Sequence, residues 1–257
     1  MGSQLQSANH VIVVKNLTHR FEGGAGGIFD ISFNIQKGQF VLIAGANGSG
    51  KTTLLRHFNG LLLPQLGEVY VDGVSVEKDL SRARRKVGMV FQDADSQIVG
   101  QTVYEDVAFG PENLCWPREA IDHTVQRVME ELGLVHLSHQ SPHLLSGGER
   151  RRLAIAGVLA MHPDVIVMDE PFANLDYPGV RQILEHIVRL HQGGHTIVVA
   201  AHDLEMIGTL AQRLVIMDRG RISADGPFRE VLPLAEQFDI RLPCALRFGQ
   251  TLTSWLN

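Results

Sequence analysis

The segment FVLIAGANGSGKTT, residues 40–53, consists of five apolar residues followed by a glycine-rich loop. Within GANGSGKTT, residues 45–53, the first eight residues fit the pattern G-x-x-x-x-G-K-S/T, and the overlapping stretch TTLLRHFNG is a plausible helix. Gly45, Gly48 and Gly50 allow the backbone to turn so that its N–H groups point at phosphate oxygens. The succession of strand, loop and helix therefore predicts a phosphate-binding loop at the carboxyl end of a buried strand.

The remaining residues of this loop have distinct expected roles. Lys51 is expected to reach the β and γ phosphates of a nucleotide as a point charge, and the Thr52 hydroxyl is placed to ligate Mg²⁺. The N-terminus of the helix adds a partial positive charge. Asn47, Ser49 and Thr53 complete the predicted nucleotide-binding set. The alternative, a chance match in a glycine-rich turn, is disfavoured by the strand before the loop and the helix after it.

Short apolar runs elsewhere in the chain predict a parallel sheet. Strands that are apolar on both faces need helices on both sides, so these runs indicate an α/β fold. The runs are residues 40–44, 165–168, 197–201 and 214–217. Residues 11–17 and 31–36 alternate instead and predict half-exposed antiparallel strands, with the turn GGAGG at residues 23–27 nearby. We therefore expect a small antiparallel layer at the front of the parallel sheet.

The strand signal fades between residues 92 and 161. Residues 118–132 have helical spacing, with one apolar face formed by Ile121, Val125, Val128 and Leu132. These patterns predict a helical insert at about residues 93–158 within an α/β domain that spans residues 10–225.

The chain is expected to turn through Asp225-Gly226-Pro227 after Arg221. Helices are expected on either side of Pro243. This pattern defines a short C-terminal segment at residues 226–257.

Composition restricts the class of protein. The 257 residues are 44% hydrophobic and 20% charged, which is ordinary globular composition. The formal net charge of -5 does not resemble the basic footprint of a nucleic-acid binder, so no nucleic-acid partner is expected. A short basic run is predicted to be a solvated helix face. It consists of Arg150, Arg151 and Arg152.

Cysteine content and hydropathy bear on location. Cys115 and Cys244 lack metal-type pairing, which indicates a reducing cytosol and no disulfide framework. No run approaches the ~20 apolar residues that a membrane span needs. Residues 1–10 lack an apolar signal region, and the sequence leaves open whether Met1-Gly2-Ser3 is native. At a membrane, this chain would be held by partners.

Two adjacent carboxylates end a buried strand in the segment VIVMDEP. Ligands of open α/β sheets sit at the carboxyl ends of strands. Asp169 is expected to hold Mg²⁺ through water, and Glu170 to polarise an attacking water as general base. The alternative is a pair of solvated acids that opens a turn before Pro171.

Further polar residues follow apolar runs. His202, after the run at 197–201, could hydrogen-bond the γ-phosphate or orient Glu170, although a histidine at a strand end is usually structural. The Gln92 amide could contact Mg²⁺ and water without adding charge. The histidines of HLSHQSPH, residues 136–143, leave a metal site open, but ordinary loop histidines are favoured.

The segment LLSGGERRRLAIAGVLAM, residues 144–161, predicts a helix that begins with a capping box. Ser146 and Glu149 fit S-x-x-E, and the helix is expected to run to about Ala160. The capping box does not require both Gly147 and Gly148. Two glycines at a helix N-terminus also leave bare N–H groups for an anion. This segment is therefore a second predicted phosphate-binding surface, without a lysine of its own.

Six motifs in order resemble those of an ATP-binding cassette (ABC) ATPase over nearly the whole chain. The resemblance implies a P-loop NTPase fold with a RecA-like parallel sheet core, and the cofactors ATP and Mg²⁺. It also implies stacking of an aromatic side chain on adenine. The matching positions are Walker A at 45–52, Gln92 at the Q-loop, LSGGE at 145–149, Walker B at 165–170, the D-loop at 173–176 ending in Asp176, His202 at the H-loop, and Phe21 as the aromatic residue.

The resemblance also implies a head-to-tail dimer. Ser146, Gly147 and Gly148 would grip the γ-phosphate of an ATP held by Lys51 of a second copy, or of a related ATPase in a heterodimer. Glu149 replaces the glutamine that the family normally has. We expect its carboxylate to turn back as the capping-box partner, away from phosphate.

The segment FQDADSQIVGQTVYEDVAFGPENL, residues 91–114, resembles the ATPases of energy-coupling factor (ECF) importers in a second glutamine, Gln97, and the string EDVAFG. This implies a transmembrane coupling subunit that docks beside residues 92–110, a substrate-binding membrane subunit, and a peripheral position on the cytoplasmic face of the cell membrane. The cargo of this group is a vitamin, cobalt or nickel. The compact segment 226–257 favours the cobalt/nickel branch and is expected to help hold the dimer together.

Other functions fit less well. ABC proteins of DNA repair carry long coiled coils, whereas about 95 residues without sustained heptads separate Lys51 from Ser146. A translation-associated ABC protein would normally hold two cassettes. A P-loop small-molecule kinase would not explain residues 145–149. Another class of ABC transporter remains an alternative.

Overall fold

The structure is a computed structural model that describes residues 9–24 and 26–256; Met1-Gly2-Ser3 and most of the N-terminal stretch lie outside them. The strands are β1 (His10–Arg20), β2 (Gly27–Gln36), β3 (Phe40–Ala44), β4 (Leu66–Val71), β5 (Val74–Ser75), β6 (Val87–Val90), β7 (Val165–Asp169), β8 (Thr196–Ala201), β9 (Arg213–Asp218) and β10 (Arg221–Pro227). The α-helices are α1 (Lys51–Phe58), α2 (Leu80–Lys86), α3 (Val103–Asn113), α4 (Arg118–Glu131), α5 (Gly147–Leu159), α6 (Tyr177–Gln192), α7 (Phe228–Val231) and α8 (Cys244–Arg247).

A six-stranded sheet in the order β10-β9-β3-β8-β7-β6 forms the centre of the fold. All four predicted parallel strands are present, and β6 adds a fifth. The strand β10 pairs antiparallel to β9. The predicted turn at Asp225-Gly226-Pro227 is therefore wrong. The Asp225 carboxylate accepts two bonds from the Arg213 guanidinium, and Pro227 closes an edge strand, where a missing N–H costs little.

A second sheet, in the order β2-β1-β4-β5, is antiparallel and lies in front of the first. It confirms the two alternating segments as strands, since β1 and β2 pair with each other. The predicted turn between them contains a short 3₁₀ helix, Glu22–Gly24, and Ala25 lies outside the described residues.

Strand alternation divides the interior into two cores. In β3, Val41 and Ile43 face the antiparallel sheet and α1, whereas Phe40, Leu42 and Ala44 face the core built on α3 to α6. The same alternation holds in β7, β8 and β9. Because both faces are covered, these strands are apolar throughout, as the sequence predicts.

The structure describes every residue between Val90 and Val165, and none of them forms a strand. The predicted helix at 118–132 is α4, Arg118–Glu131, and it buries Ile121, Val125 and Val128. Short 3₁₀ helices, Val135–Leu137 and Pro142–Leu144, connect α4 to α5.

Helices lie on either side of Pro243, as predicted: the 3₁₀ helix Leu232–Phe238 before it and α8 after it. Near the end of the chain, Trp255 packs against Tyr177 at the start of α6, with ring centroids 5.5 Å apart. Among the described residues, no helix combines the length and apolar character required to cross a membrane.

Candidate functional site

Strand register brings the predicted polar residues to one edge of the central sheet. Ala44 at the end of β3 pairs with Ala201 of β8, and Asp169 at the end of β7 pairs with Ala200. The residues that follow these strands therefore leave the sheet side by side. This is why the phosphate-binding loop, Glu170 and His202 meet although they are far apart in sequence.

The loop between β3 and α1 uses backbone conformations that favour glycine. Gly48 and Gly50 have φ angles of 81° and 102°. A Cβ atom at Gly50 would lie 2.7 Å from Cγ2 of Ile28, so a larger residue there would meet both backbone strain and a close contact. The loop thus presents its backbone at the N-terminus of α1, which suits an anion.

Lys51 is almost fully buried, with 6% of its surface exposed. Its Nζ atom donates to the backbone oxygens of Gly45 (2.7 Å) and Ala46 (3.2 Å) and lies 4.0 Å from Oε1 of Glu170. Burial lowers the pKa of Lys51, while Glu170 and Asp169 oppose this shift. The ammonium is held inside the loop, at the position expected for a phosphate-binding lysine.

The Thr52 hydroxyl donates to Oδ2 of Asp169 at 2.7 Å. Asp169 is buried, and desolvation raises its pKa, opposed by the Thr52 hydrogen bond and by Lys51. The other carboxylate oxygen, Oδ1, is buried without a hydrogen-bond partner among the described residues.

These two side chains fit a magnesium site. Mg²⁺ prefers a few hard oxygen ligands and retains waters, so a hydroxyl and a carboxylate with one unsatisfied oxygen suit it. In contrast, no group of three or more His, Cys, Asp or Glu side chains among the described residues is arranged to hold a metal ion by itself, and the metal alternative at 136–143 is not supported.

Glu170 follows β7 in a left-handed conformation, with φ of 47°. Its backbone N–H donates to Ala200 O at 2.9 Å, which holds this residue against β8. Its Oε1 atom lies 2.9 Å from Nδ1 of His202. The Glu170 side chain is 12% exposed and that of His202 is 57% exposed. The carboxylate is therefore sheltered, whereas the imidazole reaches the surface.

These groups surround an open cleft of about 460 Å³. Phe21 lies at its edge with 42% of its surface exposed, and its N–H donates to Gly26 O at 3.1 Å. Gln92 lies on the cleft after β6. The lining residues are Phe21, Gly26, Gly27, Asn47, Gly48, Gly50, Lys51, Thr52, Thr53, Gln92, Asp169 and Glu170. Most predicted nucleotide-binding residues are thus brought together, and Gly45 and Ser49 lie within the loop behind them.

The predicted second phosphate-binding surface does not line this cleft. Ser146 is the N-cap of α5, and its exposed hydroxyl and the Glu149 carboxylate form the predicted capping box. Gly147 lies near the backbone of Asn174, where a Cβ atom would be 3.9 Å from its carbonyl oxygen. Asp176 caps α6 by accepting from Gly179 N at 3.0 Å. The signature and D-loop segments are therefore neighbours on an exposed surface.

The Glu149 carboxylate turns back as expected. Its Oε2 atom accepts from the hydroxyl and the backbone N–H of Ser146, both at 2.7 Å. These two hydrogen bonds lower the pKa of Glu149. The carboxylate is thereby occupied within its own helix turn, which leaves the N–H groups of the two glycines at the surface.

The prediction that the basic run at residues 150–152 in α5 forms a solvated helix face is wrong. Arg151 is 4% exposed, and its guanidinium donates to the carbonyl oxygens of Phe91 (2.6 Å) and Gln92 (2.7 Å). Its position at i−3 and i−4 to the buried Ala154 and Ile155 is the signal that could have identified it. Arg151 thus fixes the backbone of the Q-loop to the signature helix.

Gln97 reinforces the same connection. Its Oε1 accepts from Phe91 N at 3.0 Å, and its Nε2 lies 3.3 Å from Met89 O and 3.4 Å from Ala154 O. The second glutamine is therefore a bracing residue between β6 and α5 in this structure.

The glycine-rich loop at the end of β3, its buried lysine and the carboxylates of β7 define a P-loop nucleoside triphosphatase. The chain belongs to the ABC transporter family, whose profile matches residues 28–173, and it is an ATPase of that family.

Two relatives indicate which kind of ABC transporter ATPase this chain resembles. An energy-coupling factor transporter ATP-binding protein, EcfA, from Methanocaldococcus jannaschii is 40% identical over 91% of this chain and 86% of that protein. A putative ABC transporter ATP-binding protein from Geobacter sulfurreducens is 43% identical over 87% of this chain and 89% of that protein.

A solved structure agrees with this assignment. The structure of cbiO1 from Clostridium perfringens, described as part of the ABC transporter complex cbiONQ, matches with a TM-score of 0.80 at 34% identity. The match covers 94% of this chain and 98% of that chain. The chain is therefore an ABC transporter ATPase of the energy-coupling factor type.

Proposed function

We propose that this chain is the ATP-hydrolysing subunit of an ECF-type importer, driven by closure and opening of an ATPase dimer. One observation carries the proposal. The groups for hydrolysis, Lys51, Asp169 and Glu170, line one cleft, whereas the exposed N-terminus of α5 at Ser146 lies outside it. Each chain thus contributes half of a site, and a second ATPase supplies the other half.

The two ends of the cleft would bind different parts of ATP, the adenine base at one end and the phosphates at the other. Phe21 offers a half-exposed ring for the adenine base. The loop N–H groups and Lys51 bind the phosphates. To reach them, Lys51 exchanges its bonds to the Gly45 and Ala46 carbonyls for bonds to phosphate oxygens, which are charged and therefore stronger acceptors.

Thr52, Asp169 and Gln92 would hold Mg²⁺. The bound ion would neutralise charge that develops on the phosphates. Asp169 is oriented for this task by the Thr52 hydroxyl on Oδ2, which leaves Oδ1 available. Arg151 fixes the backbone at Gln92 and so limits where its amide can point.

Glu170 acts as general base. Its carboxylate accepts a proton from water as the water oxygen forms a bond to the γ-phosphorus and the bond to the β–γ bridging oxygen breaks. His202 orients this carboxylate through the 2.9 Å contact with Oε1. Lys51, 4.0 Å from the same oxygen, adds positive charge beside it.

The dimer is a homodimer or a heterodimer with a related ATPase. In it, the hydroxyl of Ser146 and the N–H groups of Gly147 and Gly148 would bind the γ-phosphate held by the other chain. The Ser146 hydroxyl would exchange its bond to Glu149 for one to the phosphate, while Glu149 keeps its bond to the Ser146 backbone N–H. Asp176 lies beside this surface at the start of α6. Residues 226–257 would add contacts that hold the dimer together.

A second cleft of about 620 Å³, between α2, α3 and α5, suits the membrane partner. Its lining includes the apolar side chains of Met89, Phe109 and Met161 and part of residues 92–110. We propose that a transmembrane coupling subunit inserts helices here, so that the chain lies on the cytoplasmic face of the cell membrane. A substrate-binding membrane subunit selects the cargo, which is cobalt, nickel or a vitamin.

The variant Glu170→Gln tests this proposal. It keeps the shape of the side chain but removes the base, so ATP should bind without being hydrolysed. We expect the purified variant to become a stable dimer on size-exclusion chromatography with ATP and Mg²⁺, with almost no phosphate release.

The double variant Glu170→Gln/Ser146→Arg is the matched control. It should bind ATP but remain a monomer, because the inserted arginine blocks the signature surface. A single variant that stays monomeric with ATP bound would contradict the composite site.

A further inference from the structure

The loop that follows α1, residues 59–65, contacts the end of strand β1 immediately before Phe21. Gln65 makes a two-way bond to Arg20: its Oε1 accepts from Arg20 N at 2.8 Å, and its Nε2 donates to Arg20 O at 2.9 Å. The Gln65 backbone N–H also donates to Thr18 O at 3.1 Å. The residue before Phe21 is therefore fixed on both its backbone polar groups.

A row of three rings leads from the interior to Phe21. The ring centroid of His57 lies 5.0 Å from that of His19, with the planes 72° apart. His19 in turn lies 5.2 Å from Phe21, again edge to face. His19 Nδ1 is also 3.2 Å from Leu63 O in the same loop. Edge-to-face pairs at these distances are attractive, so the row resists rotation of the Phe21 ring.

His57 anchors this row. It is fully buried in the last turn of α1, and its Nδ1 donates to Thr53 O at 2.7 Å. Burial is the main cause that lowers its pKa, to about 4. The ring is therefore neutral near pH 7 and packs as an uncharged aromatic plane. Its Nε2 atom has no hydrogen-bond partner among the described residues.

We propose that His19 and Gln65 form a clamp that positions Phe21 for a purine base, with His57 supporting His19. This inference rests on the proposed function, because it assigns Phe21 to the base of ATP. The helix α1 connects the clamp, which positions the base-binding residue, to the loop that binds the phosphates. This helix begins with Lys51 and Thr52, carries His57 in its last turn and is followed by the loop at residues 59–65. His19 and Gln65 act through Phe21 and are positioning residues.

The test compares two ligands in the full-length chain, without turnover, by titration calorimetry. ATP carries the base, whereas inorganic tripolyphosphate carries only the phosphates. We expect His19→Ala and Gln65→Ala each to weaken ATP binding by about threefold to tenfold, the size of one aromatic or hydrogen-bonded contact. Binding of tripolyphosphate should change by less than about twofold, because Phe21 does not contact it.

Three further variants sharpen the comparison. His19→Phe keeps an aromatic edge toward Phe21 and should restore ATP affinity. His10→Ala changes a histidine at the opposite end of the same strand and should leave both affinities unchanged. In a Phe21→Ala background, His19→Ala should have no additional effect on ATP binding.

The outcomes separate two failures. If Phe21→Ala weakens ATP binding selectively but His19→Ala and Gln65→Ala do not, the clamp is wrong and the proposed site stands. If Phe21→Ala leaves the preference for ATP over tripolyphosphate unchanged, the base-binding role of Phe21 fails and the clamp fails with it. Equal loss of both ligands in the clamp variants would indicate a general folding role and would also overturn the inference. If His19→Ala does not fold, the Gln65→Ala variant tests the clamp, because Gln65 is exposed and its replacement is tolerated more easily.

Discussion

The Nδ1 atom of His202 lies 2.9 Å from Oε1 of Glu170, across two neighbouring parallel strands. The same oxygen lies 4.0 Å from the ammonium of Lys51, which follows a third strand. A carboxylate, an imidazole and a buried ammonium therefore meet at one sheet edge. Their separation from Ser146 is what leads us to a two-chain site.

The contact between His202 and Glu170 predicts a selective loss of turnover. His202→Ala should lower kcat for ATP hydrolysis about 100-fold, the scale of one positioned acid–base group, because Glu170 loses its orientation. The KM for ATP should change little. Steady-state phosphate release measures both quantities. His195→Ala is the control, because His195 immediately precedes β8 whereas His202 immediately follows it. Normal turnover by His202→Ala would return His202 to a structural role.

The exposed position of Ser146 predicts a separation of binding from hydrolysis. Ser146→Arg should abolish ATP hydrolysis while a monomer still binds ATP, because Lys51 and its loop are unaltered. Nucleotide titration and phosphate release measure the two properties. His143→Arg places the same side chain three residues away and should remain active. Loss of ATP binding by Ser146→Arg would mean that Ser146 serves the site of its own chain.

The fit of Mg²⁺ to Thr52 and Asp169 predicts a metal-specific defect. Thr52→Val removes the hydroxyl that donates to Oδ2 of Asp169. The Mg²⁺ concentration for half-maximal ATPase activity should rise about tenfold or more. Thr52→Ser retains the hydroxyl and is the matched control. An unchanged magnesium dependence in the valine variant would exclude Thr52 from the site.

The buried guanidinium of Arg151 predicts a coupled loss of stability and activity. Arg151→Met leaves the carbonyl groups of Phe91 and Gln92 without their donors and should lower the free energy of unfolding by about 2–4 kcal/mol. Denaturant unfolding measures this change. The kcat should also fall, since Gln92 is no longer fixed. Arg150→Met removes a half-exposed neighbour and should cost about 1 kcal/mol or less.

The lowered pKa of His57 predicts acid destabilisation. The folded-state pKa is about 4, against 6.5 in the unfolded chain, so only the unfolded state takes up this proton between those values. The contribution is fully present above pH 6.5 and is lost as the pH falls towards 4. His186, whose pKa burial also lowers to about 4, acts in the same direction.

A variant isolates the His57 contribution. Between pH 7.5 and pH 5, His57→Asn should reduce the fall in the free energy of unfolding by about 2 kcal/mol relative to the unmodified chain. Denaturant titrations at the two pH values measure this difference. An identical pH dependence in both proteins would show that His57 is not buried in neutral form.

Much of the site follows from local sequence. The strand and loop at 40–53 can be recognised because a buried strand, a glycine turn and a helix N-terminus are contiguous. The capping box of Ser146 and Glu149 is equally local and forms as expected. Asp169 and Glu170 are recognisable because they end an apolar run.

Other features could not be predicted from the sequence, because the residues that they contact are far away along the chain. Arg151 looks like a surface charge until Phe91 and Gln92, 59 or more positions away, present their carbonyl groups to it. Asp225 and Pro227 look like a turn until Arg213 pairs with them across an edge strand. His19 and Gln65 carry no motif, and their role emerges where β1 meets the loop after α1.

By itself, the amino-acid sequence determined the chemical groups of this ATPase and the order of the elements that carry them. Both are encoded in short stretches, through backbone freedom, apolar periodicity and capping. Tertiary structure alone decided which of those groups share a cleft and which basic side chain is buried. It also decided how Phe21 is held. The physical reason is that burial and hydrogen bonding between distant strands depend on sheet register, which short stretches of sequence do not specify.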